Sequence, residues 1–444
     1  MDLSRAETPR RNPGELKLEL FCRGLRIEPG ALSDEAGRPI VRTRAGLGSG
    51  LELIIPGDLK DLWVNAPVVE AFARRSPLVL RRGATGFFIE DERNGAVYPV
   101  ILPPAPRWYE ARTSTGKRMM DIGVLQGTYL GIYVGPPCGY WRSPHLACKF
   151  CTTGENVGVS EALEKTVEDV VETCQRAKEE SGVTFVHFNS GFQGGDRDLE
   201  MVAPYVKAVR ERVGLIIGVQ MVPARELWRY DWLIDLGVDH FSFCFEFYDP
   251  EWFRRICPGK DRTLGQTAFF RAMEYTSRKM GKGRVSGEII AGVEPIEATL
   301  RAIDYITDVG AFPTVCVFRP LIGAEMEDWP PPALEDMIVV HRYMLEACRR
   351  KGIPIGIAPH IEVSLVFLPT DAFYLVDRRR WDIRWYRWKN RLLAWLARPY
   401  FAWRLRPHRV RDRGADFYRL RFQSLAARAR LQDGVTSDEV TSNG

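Results

Sequence analysis

The sequence predicts an α/β protein whose core is a partial (β/α)6 barrel of the TIM type. From about residue 124, strand-like and helix-like segments alternate six times. The helix-like stretches, such as ALEKTVEDVVETCQRAKEE, carry apolar residues at helical spacing. A repeated strand–helix unit predicts a parallel sheet with helices outside it, either as a closed barrel or as an open one. At 444 residues and 45% apolar composition, the chain can bury such a core and carry flanking elements.

The segment before the barrel, residues 1–123, is predicted to be an accessory region rich in β-strands. Its short apolar runs are separated by Gly, Pro and charged turns. The runs are LKLEL, GLELIIP, PLVLRR, GFFIED and AVYPVIL.

The barrel itself is predicted over residues 124–376. Its strands are expected at 128–134, 184–190, 215–222, 240–247, 286–293 and 313–319. A seventh apolar run, IPIGIAPHIEVSLVF, would extend or cap the sheet.

Residues 377–444 are predicted to form a basic, Trp- and Arg-rich helical extension, followed by a disordered tail past Arg430. Residues 378–413 hold thirteen Lys or Arg and two Asp, a net charge of +11, whereas the whole chain carries +5. One helical face is largely indole, because its residues recur at steps of four, three, four and three. These residues are Trp381, Trp385, Trp388, Leu392 and Trp395.

Composition also excludes several classes of protein. No uncharged apolar run approaches the length of about 18 residues that a transmembrane helix needs, and the N-terminus lacks the apolar core of a secretory signal. We therefore expect a cytoplasmic protein, with the membrane as a peripheral partner at most. Nine cysteines in so long a chain do not form a disulfide framework. A local cysteine cluster in that setting indicates metal binding or catalysis.

Such a cluster follows the first barrel strand. Cys138, Cys148 and Cys151 stand at the spacing C-x9-C-x2-C in GPPCGYWRSPHLACKFCTTGE. Three thiolates from one loop can hold three irons of a [4Fe–4S] cubane and leave the fourth iron open. Barrel sites form where strands meet the loops that follow them.

With these cysteines, residues 124–370 resemble the radical S-adenosylmethionine superfamily. The usual spacing there is C-x3-C-x2-C with an aromatic residue before the last cysteine, a place that Phe150 takes here. The nine-residue gap departs from that pattern, although the elongator catalytic subunit has a similar one. Only the spacing is carried over from that enzyme, because its acetyltransferase domain is not evident here.

The resemblance extends to two further motifs in the expected order. Gly194, Gly195 and Asp196 look like the family's Gly-Gly-Glu motif, which binds the methionyl amino group, with Asp in place of Glu. Glu246 ends the fourth strand where the family places a polar residue on the ribose hydroxyls. A carboxylate suits that task because it accepts two hydrogen bonds from a diol.

The last two strands also resemble the family. Gly292 would lie near the adenine, and Arg319 would pair with the methionyl carboxylate. The resemblance implies a [4Fe–4S] cluster, S-adenosylmethionine and a 5′-deoxyadenosyl radical that abstracts hydrogen from an organic substrate. It also implies an electron donor such as flavodoxin or ferredoxin.

Other interpretations of the same residues stay open. The three cysteines with His145 would suit zinc in a binding protein without enzymatic activity. Arg319 would equally suit a structural ion pair. Cys257 is expected in the core, with a role as hydrogen donor or ligand as the alternative. Three other histidines of the barrel are expected as core residues, namely His187, His240 and His360.

The indole face has three interpretations. It would lie on an anionic membrane, bind nucleic acid as in an RNA-modifying radical enzyme, or pack on the barrel. A face of this size must be covered by something. The membrane is favoured over nucleic acid, and it suggests a hydrophobic or membrane-associated substrate.

Overall fold

The fold was determined as a computed structural model, which describes residues 12–33, 50–84 and 86–425. The predicted disordered tail past Arg430 lies outside these residues.

The N-terminal region combines one helix with two small sheets. A four-stranded sheet has the order β1-β4-β5-β6, and β2 pairs with β3 in an antiparallel hairpin. The elements are α1 (Pro13–Arg23), β1 (Arg26–Ile27), β2 (Gly50–Ile55), β3 (Leu62–Pro67), β4 (Leu78–Gly83), β5 (Gly86–Asp91) and β6 (Ala96–Val100). Four of the five predicted β runs are therefore strands.

The prediction of a strand at LKLEL is wrong, because these residues lie in α1. Asn12 caps the helix by accepting a hydrogen bond from Gly14 N at 2.9 Å, and Pro13 is its first residue. Leucines stand at every second position of this run, as apolar residues of a strand do. They all fit a helix here because α1 is buried on nearly all sides. Its buried Lys17 pairs with Asp371 at 2.8 Å.

The central sheet has seven strands in the order β13-β12-β11-β10-β9-β8-β7. Strands β8 to β13 are mutually parallel, and β7 pairs with β8 in the antiparallel sense. The strands are β7 (Val124–Leu125), β8 (Leu130–Tyr133), β9 (Phe185–Asn189), β10 (Ile216–Gln220), β11 (His240–Glu246), β12 (Val285–Ala291) and β13 (Phe312–Val317). All six predicted barrel strands are present, and the linear order makes the barrel open, as in a partial (β/α)6 barrel.

Helices precede, connect and follow the strands of the central sheet. They are α2 (Met119–Ile122), α3 (Val167–Ser181), α4 (Asp196–Arg212), α5 (Trp228–Leu236), α6 (Pro250–Ile256), α7 (Pro258–Thr263), α8 (Gln266–Met280), α9 (Ile296–Asp308), α10 (Leu334–Lys351), α11 (Trp381–Leu396) and α12 (Arg398–Arg404). Short 3-10 turns lie at Pro29–Ala31, Ala73–Arg75, Arg107–Glu110, Thr153–Glu155 and Asp371–Tyr374. Residues 415–425 are also helical. Helix α3 shows how sequence sets these bounds, since Thr166 and Asp169 form a capping box and Gly182 ends the helix in the left-handed conformation.

The seventh apolar run closes the gap in the barrel without forming a strand. Val363 makes an isolated bridge to Gly127 beside β8, and Phe367 makes one to Val315 of β13. This segment therefore touches both edges of the open sheet and caps it.

The C-terminal extension is helical as predicted, but its indole face does not pack on the barrel. Trp381, Trp385, Trp388 and Trp395 are 79%, 57%, 51% and 58% exposed. Ile383, Tyr386 and Asn390, on the opposite face of α11, are buried instead. The interpretation that the barrel covers the indoles is therefore wrong. Among the described residues, no helix combines the length and apolar composition needed to cross a bilayer.

Candidate active site

A cavity of about 750 Å³ runs through the interior of the barrel. At one end it is bordered by the three cysteines of the predicted cluster loop and by Phe150. At the other end it reaches the first residues of the strands, including Phe185, Ile216 and Phe312. Most of its wall is aliphatic or aromatic, as in typical pockets for organic ligands.

All three thiols of the cluster loop are free and partly accessible. Backbone N–H groups point at two of the sulfurs. Phe192 N donates to Cys138 Sγ at 3.2 Å, and Thr153 N donates to Cys151 Sγ at 3.4 Å. Such hydrogen bonds stabilise a sulfur that carries negative charge, as cluster ligands do.

The loop after β9 approaches Cys138 very closely, and only glycine permits this. A Cβ at Gly191 would lie 2.2 Å from the Cys138 Cβ. The buried Asp198 holds this loop, since it accepts hydrogen bonds from Ser190 Oγ and Gln193 N, each at 3.0 Å. Burial raises the pKa of Asp198 to about 6. The position of Cys138 thus depends on the neighbouring strand as well as on its own loop.

The donor set fits an iron–sulfur cluster. No three His, Cys, Asp or Glu side chains of the described residues are close enough to share one metal ion. The thiols of Cys138, Cys148 and Cys151 border one end of the same cavity, and thiolates are the ligands that a cubane cluster takes. A hydrogen bond from the buried Cys257 and the charge of Lys260 together outweigh burial and lower the pKa of Cys148. Burial raises the pKa of Cys151 to about 11.

An ion pair lies beside the cysteines. Glu246 Oε1 and the Cys244 carbonyl oxygen accept hydrogen bonds from Lys260 Nζ at 2.7 and 2.8 Å. Burial opposes the charge of Lys260, but Glu246 and the nearby thiols outweigh it and raise the pKa of Lys260. Glu246 has a φ of 64°, beside a shift in strand register. A left-handed non-glycine residue costs about 1–3 kcal/mol and is typical of functional sites.

A second polar group lies on the cavity wall between the cysteines and the strand starts. The half-buried Glu288 accepts hydrogen bonds from Ser242 Oγ, from Cys244 Sγ at 3.0 Å and from Gln220 Nε2 at 3.1 Å. Burial raises the pKa of Glu288. Its side chain is held in one position by neighbours from two strands, β10 and β11, which is the arrangement that an oriented polar contact to a ligand requires.

Two histidines also line the cavity. Burial lowers the pKa of His187 to about 3 and that of His240 to about 4, so both are neutral at neutral pH. His240 Nδ1 lies 3.0 Å from the carbonyl oxygen of Arg284. His187 Nε2 is buried without a hydrogen-bond partner. Sequence reasoning placed both in the core, whereas the structure places both on the cavity wall. His360 is exposed and not a core residue.

The structure brings only some of the predicted site residues to the cavity. Cys138, Cys148, Cys151, Phe150 and Glu246 line it. The residues of the predicted Gly-Gly-Asp motif lie on the turn between β9 and α4. Asp196 begins α4 there and accepts a hydrogen bond from Arg225 N at 2.8 Å.

The other two predicted residues lie away from the cavity wall. Gly292, with a φ of 94°, would place a Cβ 2.4 Å from the Pro332 Cβ. Arg319 donates to Asn65 O at 2.6 Å and lies 3.9 Å from Glu70. Its position therefore ties the barrel to the N-terminal region. Cys257 is fully buried next to Cys148.

No protein-family model matches the chain. The bacteriochlorophyllide c C-7(1)-hydroxylase of Chlorobaculum limnaeum is 26% identical over 252 residues, which are 51% of this chain. The chain spans 61% of the length of that relative.

Solved structures also match over about half of the chain. Methylornithine synthase (PylB) matches with 21% identity and a TM-score of 0.37, over 49% of this chain and 62% of its own. The structure of SuiB from Streptococcus suis bound to S-adenosylmethionine matches this chain with 12% identity and a TM-score of 0.37. The match covers 50% of this chain and 45% of SuiB.

Proposed function

We propose that this chain, which belongs to the radical S-adenosylmethionine superfamily, binds its [4Fe–4S] cluster through Cys138, Cys148 and Cys151 and acts on a largely apolar organic substrate. One observation carries the proposal. Three free thiols, two of them hydrogen-bonded by backbone N–H groups, border one end of an apolar cavity inside the barrel. A cofactor held there would face a substrate held farther along the same cavity.

A cluster held by Cys138, Cys148 and Cys151 would supply one electron to cleave a carbon–sulfur bond of S-adenosylmethionine, which would give methionine and a 5′-deoxyadenosyl radical. The residues of the chain position the cofactor and the substrate, and they protect the reactive species from side reactions. The barrel wall excludes water from the cavity, which limits side reactions of a reactive species. The Glu246–Lys260 pair presents a fixed carboxylate beside the cysteines for a polar group of S-adenosylmethionine, in line with its predicted ribose contact.

The volume and the polarity of the cavity also indicate which class of substrate it would hold. Its volume of about 750 Å³ lies within the usual range for sites that enclose an organic ligand. Glu288 and the neutral His187 offer a few hydrogen-bonding atoms on a mainly apolar wall. The relative from Chlorobaculum limnaeum is named as a hydroxylase of bacteriochlorophyllide c. We therefore propose a large, mainly apolar substrate with few polar groups.

Anaerobic reconstitution tests the proposed function. The full chain is loaded with iron and sulfide, reduced with dithionite or reduced flavodoxin, and mixed with S-adenosylmethionine. We expect 5′-deoxyadenosine and methionine from the wild type, and neither from a variant carrying Cys138→Ala, Cys148→Ala and Cys151→Ala.

A matched control carries Cys174→Ala and Cys348→Ala, which remove thiols buried in helices away from the cavity. It should bind iron and form product as the wild type does. Product formation by the triple variant would overturn the ligand assignment. A colourless wild-type protein that binds zinc and no iron would establish the zinc interpretation instead.

A further inference from the structure

The C-terminal helices present a continuous apolar surface to solvent, here called the indole surface. Its members are each at least 38% exposed and lie on α11 and α12. They are Trp381, Trp385, Trp388, Leu392, Trp395, Leu396, Tyr400 and Trp403. Trp385 and Trp388 stack with ring centroids 4.8 Å apart. The surface is far larger than the single apolar side chains that are normal on a protein exterior.

The orientation of α11 is fixed by its buried face. Ile383 and Tyr386 are 1% and 4% exposed, and the Tyr386 hydroxyl donates to the carbonyl oxygen of Ile353. The helix cannot rotate its indoles inward without expelling these side chains.

Cationic side chains flank the indole surface. Arg384, Lys389, Arg391 and Arg398 are exposed. In the part of the chain that the structure describes, none of the four has a carboxylate within 4.0 Å, whereas Arg378 pairs with Asp58 at 2.6 Å. Their charge is therefore available to an external anion.

The same two helices lie against the end of the cavity opposite the cysteines. Leu393, Ala397, Tyr400 and Phe401 contribute to the cavity wall. Helix α12 is fixed there because Arg404 pairs with Asp239 at 2.6 Å, at the start of β11. The segment that carries the indole surface thus also borders the cavity at the strand-start end.

We propose that α11 and α12 dock onto the surface of an anionic phospholipid bilayer. The indoles would lie at the depth of the headgroups, where tryptophan is favoured, and the flanking cations would contact lipid phosphates. The strand-start end of the cavity then faces the membrane, so a lipid-dissolved substrate reaches the barrel without crossing water. This last consequence rests on the proposed function, whereas the docking itself does not.

Charge favours a bilayer over a second copy of the chain. A twofold interface places the same patch on both partners. Joining two indole surfaces in this way would bring the unpaired arginines of both copies together, and like charges that lose solvent repel strongly. An anionic surface complements both the apolar and the cationic parts of the patch.

Vesicle co-sedimentation with the full chain tests the docking. Vesicles of phosphatidylcholine mixed with phosphatidylglycerol should sediment the wild type, and vesicles of phosphatidylcholine alone should bind it much more weakly. The variant with Arg384→Gln, Arg391→Gln and Arg398→Gln should bind the anionic vesicles about a hundredfold more weakly, because each cation contributes about fivefold. The variant with Trp385→Gln, Trp388→Gln and Trp395→Gln should lose at least about tenfold.

A matched control removes the same charge from the outer helices of the barrel, through Arg271→Gln, Arg278→Gln and Arg301→Gln. It should bind as the wild type does, and all variants should keep the wild-type circular dichroism spectrum. Equal binding by the control and by the α11 arginine variant would overturn the proposal. So would binding to RNA in place of vesicles, or dimers held by the indole surface. Because no cofactor is needed, failure here is distinct from failure to form 5′-deoxyadenosine.

Discussion

Replacing Gly191 by alanine tests whether the loop after β9 positions the first cluster ligand. The added Cβ would lie 2.2 Å from the Cys138 Cβ, 2.7 Å from its Cα and 2.8 Å from its Sγ, whereas ordinary contact begins near 3.4 Å. Cys138 must therefore move by about 1 Å. This exceeds the displacement of roughly 0.5 Å within which the side chains of a functional site must be held. Because Gly191 does not have a positive φ, alanine adds no backbone strain and acts through this overlap alone.

We expect Gly191→Ala to lower the free energy of unfolding by about 1–3 kcal/mol, the usual cost of overpacking, and to lose most of its iron. Urea denaturation measures the first effect, and the iron and labile sulfide retained after anaerobic reconstitution measure the second. Gly30→Ala is the matched control, since its added Cβ meets nothing within 4 Å. Wild-type iron content in Gly191→Ala would refute the idea that the loop after β9 positions Cys138.

Three further predictions concern buried titratable groups. Lys260→Met should lower the free energy of unfolding by about 3–5 kcal/mol because it leaves Glu246 buried and unpaired, and adding Glu246→Gln should restore most of that loss in urea titrations. His341 is neutral in the fold, where burial lowers its pKa from 6.5 to about 4, so the stability it contributes is lost as the pH falls below about 6.5. Between pH 7.5 and 5.5, the wild type should therefore lose about 1 kcal/mol more than His341→Gln, and an equal loss in both would contradict this. Arg404→Met should lower the free energy of unfolding by about 1–2 kcal/mol, since Asp239 keeps two other guanidinium partners, and should speed trypsin cleavage within α11 and α12.

Local pattern was enough to predict the barrel and the loop that carries the cysteines. The six strands follow from short apolar runs separated by helical periodicity, since a parallel sheet buries both faces of each strand. The pattern failed at α1, because a helix buried on nearly every side has no polar face to show its period. Its cap signal, Asn12 followed by Pro13, was present and would have corrected the prediction.

The site was harder to predict, because its contacts join distant parts of the chain. Gly191 lies in the loop after β9 and limits the space around Cys138 of the loop after β8. Lys260 lies on α7 and reaches back to Glu246, and no spacing rule in the sequence connects them. Arg319 follows β13, as expected of a ligand-binding residue, yet it contacts Asn65 of the N-terminal region. An accessory region whose packing is unknown from sequence can thus redirect a side chain at a strand end.

The most direct test of the account is electron paramagnetic resonance of the reduced, reconstituted chain before and after S-adenosylmethionine is added. An open iron beside the cavity predicts a cluster signal whose shape changes when S-adenosylmethionine binds. A variant that lacks Cys138, Cys148 and Cys151 should give no such signal. A signal that S-adenosylmethionine leaves unchanged, or one that persists in that variant, would contradict the claim that these three thiols hold a cluster with a vacant coordination site.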